Sequence, residues 1–261
     1  MNSVLKNVQQ AYVLAQYTLI EAIHSRFFII LFVLIGLSIG LELFLQQVVL
    51  FEKNMTQLAL VAAFLRISAV YLMGLFVVSS ITQAFNQNTI YLFMALPLAR
   101  STYILGKLLG FSVLALVMCG LFSLLLLSYI DNIQLVLWLL SLYCELLLVI
   151  SVAIFFSLSF HHTLPALTGF IGFYLLARSI HAIQLMSQGF QNSSQWSDLI
   201  LYYISQCVAL LLPDLSRFTR SEWLIYQTGH WEILAELSLQ SVIYMLLIIS
   251  ASLFDFYRKN L

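Results

Sequence analysis

Charge is what this 261-residue sequence has least of: Asp, Glu, Lys and Arg make up 8% of it, where about 25% is usual for a soluble domain. Hydrophobic residues reach 62% against roughly 45–50%, and the mean hydropathy of +0.99 is spread along the whole length. A soluble fold of this size cannot hide that much apolar surface, so the expectation is a multi-pass membrane protein. Neither sign of charge is in excess, with 11 basic and 11 acidic side chains. That excludes a globally basic nucleic-acid surface and a strongly acidic binding surface. Cysteine is scarce too. Cys119, Cys144 and Cys207 are far apart in apolar runs, with no CxxC pair and no histidine at metal spacing, and read as small buried residues. No HExxH, GxSxG or GxxxxGK[ST] occurs. The expectation is a chain that is not itself an enzyme and holds no metal or cofactor; ATP, if used, must be bound by another chain. The first 26 residues mix polar and apolar positions, and a cleaved signal peptide is not expected.

Crossing about 30 Å of hydrocarbon takes roughly 20 apolar residues, and six runs qualify: 27–46, about 60–84, about 103–128, about 133–160, 163–181 and 233–256. The fold class expected is therefore all-α, a polytopic bundle of six transmembrane helices in a single domain covering 1–261. An even number of spans puts both termini on one side. Lys6, Arg26, Arg100, Lys107, Arg258 and Lys259 fall on that side. Lys53, Arg217 and Arg220 fall opposite, among Glu52, Asp131, Asp198, Asp214, Glu222 and Glu232. The positive-inside rule then makes both termini cytoplasmic.

Two segments are neither spans nor simple loops. Within 1–26, Leu5, Val8, Tyr12, Ala15, Leu19 and Ala22 recur at steps of three and four, the period of an amphipathic helix. This predicts an interfacial helix along the cytoplasmic membrane surface; the alternative is an extension of the first span. The external segment 184–232 is too long for a plain connector. Its stretch 199–212 is too short to span and too apolar for water, which predicts a re-entrant or interfacial helix ended by Pro213.

Charges in hydrocarbon cost about 2.5–3.5 kcal/mol each on insertion scales and ask for a partner or a polar cavity. Glu42, Arg66, Glu145 and Arg178 are the candidates, all threading into the outer half of the bundle. Two readings fit: a polar gate on a substrate path, or interhelical ion pairs, with Glu42 and Arg66 snorkelling to the surface. Gly36 and Gly40 form a GxxxG in the first span, and Gly106 and Gly110 another in the third. Such spacing serves helix packing inside the chain or a dimer seam.

The loop between spans two and three, 84–103, contains NTIYLFMALPLARSTYILGK, which reads as a short amphipathic helix halted near Pro97 and followed by a basic residue. It resembles the loop by which permease subunits of type-2 ATP-binding-cassette exporters dock on their ATPase, with Thr89, Ile90, Ala95, Pro97, Leu98, Arg100, Leu105, Gly106 and Lys107 matching that family's pattern. The leading helix, six spans, long external segment and aromatic-basic tail FDFYRKNL are also similar to the family. LLPDLSRF, with Pro213, Asp214 and Phe218, resembles a segment of its compact branch, which includes copper-processing and nitrous-oxide-reductase maturation permeases. In one respect the sequence departs. Where relatives often carry acids before the coupling helix, it has Gln83, Asn86, Gln87 and Asn88, so docking would use neutral hydrogen bonds.

The resemblance implies a bacterial inner-membrane exporter subunit, paired as a homodimer or with a related permease. It implies two cytoplasmic ATPase subunits that bind ATP and Mg. The coupling residues would be Gln87, Asn88, Thr89, Pro97 and Arg100. The dimer seam would run near Gly36, Gly40, Gly169 and Gly172, and the outer charges with the external hairpin would form a gate. Membrane lipid and a periplasmic partner complete the expected partners. Two rivals differ in class: a non-transporting scaffold recruiting a periplasmic partner through 184–232, and an ion-coupled carrier using Glu145 and Arg178. The carrier predicts internal repeats with paired broken helices, and no half-to-half similarity is visible.

Overall fold

The structure is a computed structural model that describes residues 2–48, 53–87, 100–127, 132–160, 162–188 and 196–258. The described residues are helical with no strand. In chain order the helices are α1 (Asn2–His24), α2 (Phe27–Val48), α3 (Lys53–Asn86), α4 (Arg100–Leu126), α5 (Asn132–Ser159), α6 (Thr163–Gln188), α7 (Trp196–Leu211), α8 (Ser221–Tyr226) and α9 (Trp231–Arg258). Among them, α2 to α6 and α9 are long and apolar enough to cross a membrane, which makes the chain a polytopic all-α membrane protein. Their limits fall within a few residues of the six apolar runs, except that the fifth extends to Ser187. His181 therefore lies within that span, because Arg178 and His181 find polar partners there.

α5 is the centre of the bundle, packing against α3, α4, α6, α8 and α9. Trp138, Leu142, Leu146 and Ile150 on α5 are fully buried, as are Leu65, Met73 and Val77 on α3 and Phe111 and Phe122 on α4. α2 and α9 are the most open spans, and α2 exposes Phe32, Val33, Leu37, Leu43 and Phe44. In water such faces would aggregate; in lipid tails they cost nothing. Polar pairs tie the span ends. Ser159 at the end of α5 donates to Asp255 of α9 at 2.9 Å. Thr82 and Thr163 are 3.0 Å apart where α3 ends and α6 begins.

α1 forms a helix, and the face it packs on the bundle shares Ala15 and Ala22 with the apolar stripe read from the sequence. Ala11, Leu14, Ala15, Thr18 and Ala22 are buried, while Tyr12 is 63% exposed. The reason is steric. A Cβ on Gly106 would stand 2.8 Å from Leu14 Cβ and 3.0 Å from the Ala11 carbonyl, and one on Gly110 would stand 2.7 Å from Thr18 Cβ and 3.1 Å from the Ala15 carbonyl. Small residues on both sides let the backbones approach, which large apolar side chains such as Tyr12 would prevent. The second GxxxG is thus a seat for α1.

Candidate functional site

The segment between α6 and α9 folds inward. α6 ends at Gln188, and α7 returns along it. The turn 212–220 lies deep, since Tyr244 donates to the Leu212 carbonyl at 3.3 Å, about 20 Å down α9 from Trp231 at 1.5 Å per residue. α8 climbs back, and Gln134 near the start of α5 closes the segment by accepting from Gly229 N–H at 3.2 Å and donating to the carbonyls of Gln227 and Gly229. The re-entrant expectation therefore holds as a helical hairpin whose deepest part is the turn after Pro213. Pro213 is buried at the bend, where its missing N–H stops α7. Asp214 caps the short 3-10 turn Leu215–Arg217, its Oδ1 accepting from Ser216 N–H at 3.1 Å and from Ser216 Oγ at 2.6 Å. Phe218, fully buried, anchors the turn.

Three of the four intramembrane charges converge on this turn. Glu145 is wholly enclosed. Its Oε1 accepts from Tyr174 Oη at 2.9 Å and its Oε2 from Thr219 Oγ1 at 2.5 Å, and Arg178 Nη1 stands 3.7 Å from Oε1. Arg178 Nη1 also donates to the carbonyls of Leu215 and of Phe218, the latter at 3.3 Å. Arg66 Nη1 donates to the Thr219 carbonyl at 3.3 Å, and Thr219 N–H donates to Ser141 Oγ at 3.0 Å. Every polar group of Thr219 is thus held by the bundle. That matters because Thr219 has φ of 45°, a left-handed conformation that a β-branched residue adopts only when its surroundings impose it, at a cost of about 1–3 kcal/mol. Hydrogen bonds to a charged group are worth about 1.5–3 kcal/mol each. Two of them on Glu145 are enough to offset the roughly 2.5–3.5 kcal/mol of placing it in the membrane.

Glu42 stays apart, buried where α2 meets α3. Its carboxylate accepts from Gln46 at 3.5 Å and its carbonyl from Gln57 at 3.3 Å. Of the glycines, Gly169 packs inside the chain against Phe156, while Gly36, Gly40 and Gly172 have nothing within 4 Å of a built Cβ. Of the loop residues, Gln87 follows the last turn of α3, exposed, and Arg100 is the first residue of α4. Asn88, Thr89 and Pro97 lie outside the described residues.

Ser141, Tyr174 and Thr219 were not picked out by sequence reasoning. A signal for two of them existed: Ser141 precedes Glu145, and Tyr174 precedes Arg178, by four residues, which puts each pair on one helix face. Thr219 offered none, because its partners are 74 and 153 residues away. A second junction was also missed. Lys107, matched to the family loop, places Nζ 2.8 Å from Glu21 Oε2 on α1 and 3.1 Å from Ser80 Oγ on α3. One ammonium thereby joins α1, α3 and α4.

Thr219 and Glu145 are closed to solvent, at 1% and 0% exposure, so the cluster holds a loop and does not present a reactive group. Among the described residues, no three His, Cys, Asp or Glu side chains gather as metal ligands. The fold and the clamp define a polytopic helical membrane protein in which the turn 212–220 is pinned inside the bundle. No protein-family model matches the chain, and no curated protein matches it.

Proposed function

We propose that the chain is the membrane-spanning permease subunit of an ATP-driven exporter of the type-2 ATP-binding-cassette class. In this reading it works as a dimer, with ATP and Mg bound by partner ATPase subunits at the cytoplasmic end. The observation that carries it is the Lys107 junction. The connection at 88–99, whose sequence resembles the ATPase-docking loop, joins α3 to α4, and Lys107 ties both helices to α1 through Ser80 and Glu21. A push on that loop would move three helices as one body, which is what a coupling device needs. The pinned hairpin at the other end of the bundle supports a gate that opens when α3, α5 and α6 shift relative to one another, since Arg66, Glu145 and Arg178 reach the turn from these three helices.

The test is whether a neighbouring reading frame encodes a P-loop protein that co-purifies with this chain, followed by ATP hydrolysis in proteoliposomes. The expected result is a stable complex whose ATPase activity depends on this chain, with P97A and R100A uncoupling hydrolysis from transport while membrane insertion persists. Failure to form a complex, with no ATPase activity dependent on this chain, would favour a non-transporting scaffold.

A further inference from the structure

Two guanidinium groups approach the turn, but only one carboxylate meets them, and both of its oxygens are already engaged by Tyr174 and Thr219. Arg178 keeps that carboxylate at 3.7 Å. Arg66 has no carboxylate within 4 Å among the described residues; Glu145 lies near enough to attract it, but that one carboxylate is shared with Arg178, which lies close enough to repel Arg66. Its one hydrogen bond leaves from Nη1, and its Nε, shut off from solvent, meets no acceptor. The other acid in the turn is committed elsewhere: Asp214 caps Ser216 and stands 3.9 Å from His181. Glu42 belongs to the α2–α3 junction.

An arginine in a membrane span calls for a counter-charge, and the unfilled Nε side of a guanidinium is one edge of the planar fork that receives two oxygens of a phosphate or carboxylate. The side chain as a whole is only partly buried, and its neighbour Ile67 is 46% exposed on the outer surface of α3. The geometry points to a binding site for a phosphate-type oxyanion at Arg66, reached from the outer surface of α3 and steadying the clamped turn through Arg66 and Thr219. The anion is either the headgroup of an anionic phospholipid or free phosphate. The site does not depend on coupling to an ATPase.

Thermal unfolding of the full chain, followed by tryptophan fluorescence, tests it with two probes. One is nanodiscs of phosphatidylcholine with and without phosphatidylglycerol; the other is inorganic phosphate added to the pure phosphatidylcholine discs. Phosphatidylglycerol is expected to raise Tm by several degrees in the wild type and in R258Q, a control at the opposite end of the bundle, with R66Q losing most of that gain and R66K, which keeps the charge without the fork, retaining part. An Arg66-dependent gain from inorganic phosphate alone would assign the site to the free anion. Should R66Q fail to fold, native mass spectrometry of R66K must show fewer retained phosphatidylglycerol molecules than wild type, or a weaker phosphate shift. Equal responses of wild type and R66K in those measurements, or of wild type and R66Q in the unfolding assay, overturn the proposal, as does the absence of any response to either probe.

Discussion

Thr219 Oγ1 donates to Glu145 Oε2 at 2.5 Å while the N–H of the same threonine donates to Ser141 Oγ at 3.0 Å. Ser141 and Glu145 lie one turn apart on α5, so a single helix face reads both donors of one residue. Thr219→Val keeps the shape and removes the hydroxyl, leaving a fully buried carboxylate oxygen short of a donor. The expected loss is about 1–3 kcal/mol of stability, with Thr219→Ser close to wild type. Thermal unfolding of the purified variants in one detergent checks this; a valine variant as stable as the serine variant would mean the hydroxyl does not hold the turn.

Glu145 and Arg178 should be strongly non-additive. Removing one partner of a buried pair leaves an uncompensated charge and costs about 3–5 kcal/mol. In Glu145→Gln the guanidiniums of Arg66 and Arg178 would face each other with no anion between them. Arg178→Gln also gives up the contacts to the Leu215 and Phe218 carbonyls, so the double variant should fall well short of the sum of the singles. A double-mutant cycle from unfolding midpoints supplies the number, and strict additivity would mean that the two side chains act independently.

The spans were legible because hydropathy over some twenty residues is a local property of the chain. The clamp was legible only in part. Glu145, Arg66 and Arg178 announce themselves as charges in apolar runs, but nothing local says that Glu42, equally conspicuous, belongs to a different junction. Thr219 sits in a stretch of ordinary loop composition, and its importance comes from where the hairpin folds back. The stripe read on α1 is only partly the face that packs: Ala15 and Ala22 are buried and Tyr12 is exposed, while Ala11, Leu14 and Thr18, which meet Gly106 and Gly110, lay outside it because their partners are on a distant helix.

Glycine substitutions should separate packing from open surface. Gly106→Ala places a methyl 2.8 Å from Leu14 Cβ and 3.0 Å from a backbone oxygen, and overpacking of this kind costs about 1–3 kcal/mol. The expected outcome is faster proteolysis of α1 from membranes. Gly36→Ala and Gly40→Ala meet nothing within 4 Å and should leave proteolysis and unfolding unchanged. If the proposed dimer uses this face, they should weaken self-association measured by energy transfer between labelled chains.

Lys107 and Glu21 make the sharpest test of the α1 junction, because the two sides of the pair are unequally buried. The lysine side chain is 5% exposed and the glutamate 29%, so the ammonium depends on protein partners while the carboxylate is partly hydrated. Glu21→Gln keeps an oxygen near Nζ but withdraws the counter-charge from a buried cation, and should cost more than Lys107→Met, which removes the buried charge and leaves Glu21 to solvent. The reversed pair, E21K with K107E, should recover part of the loss of E21K alone, and only part, because Ser80 would then have to donate to a carboxylate where it now accepts from an ammonium. Unfolding midpoints for the four variants give the ranking. If Lys107→Met is the most damaging of them, the ammonium acts chiefly through Ser80 Oγ and the Phe111 ring, 5.6 Å away, and the ion pair with Glu21 does not hold α1 in place.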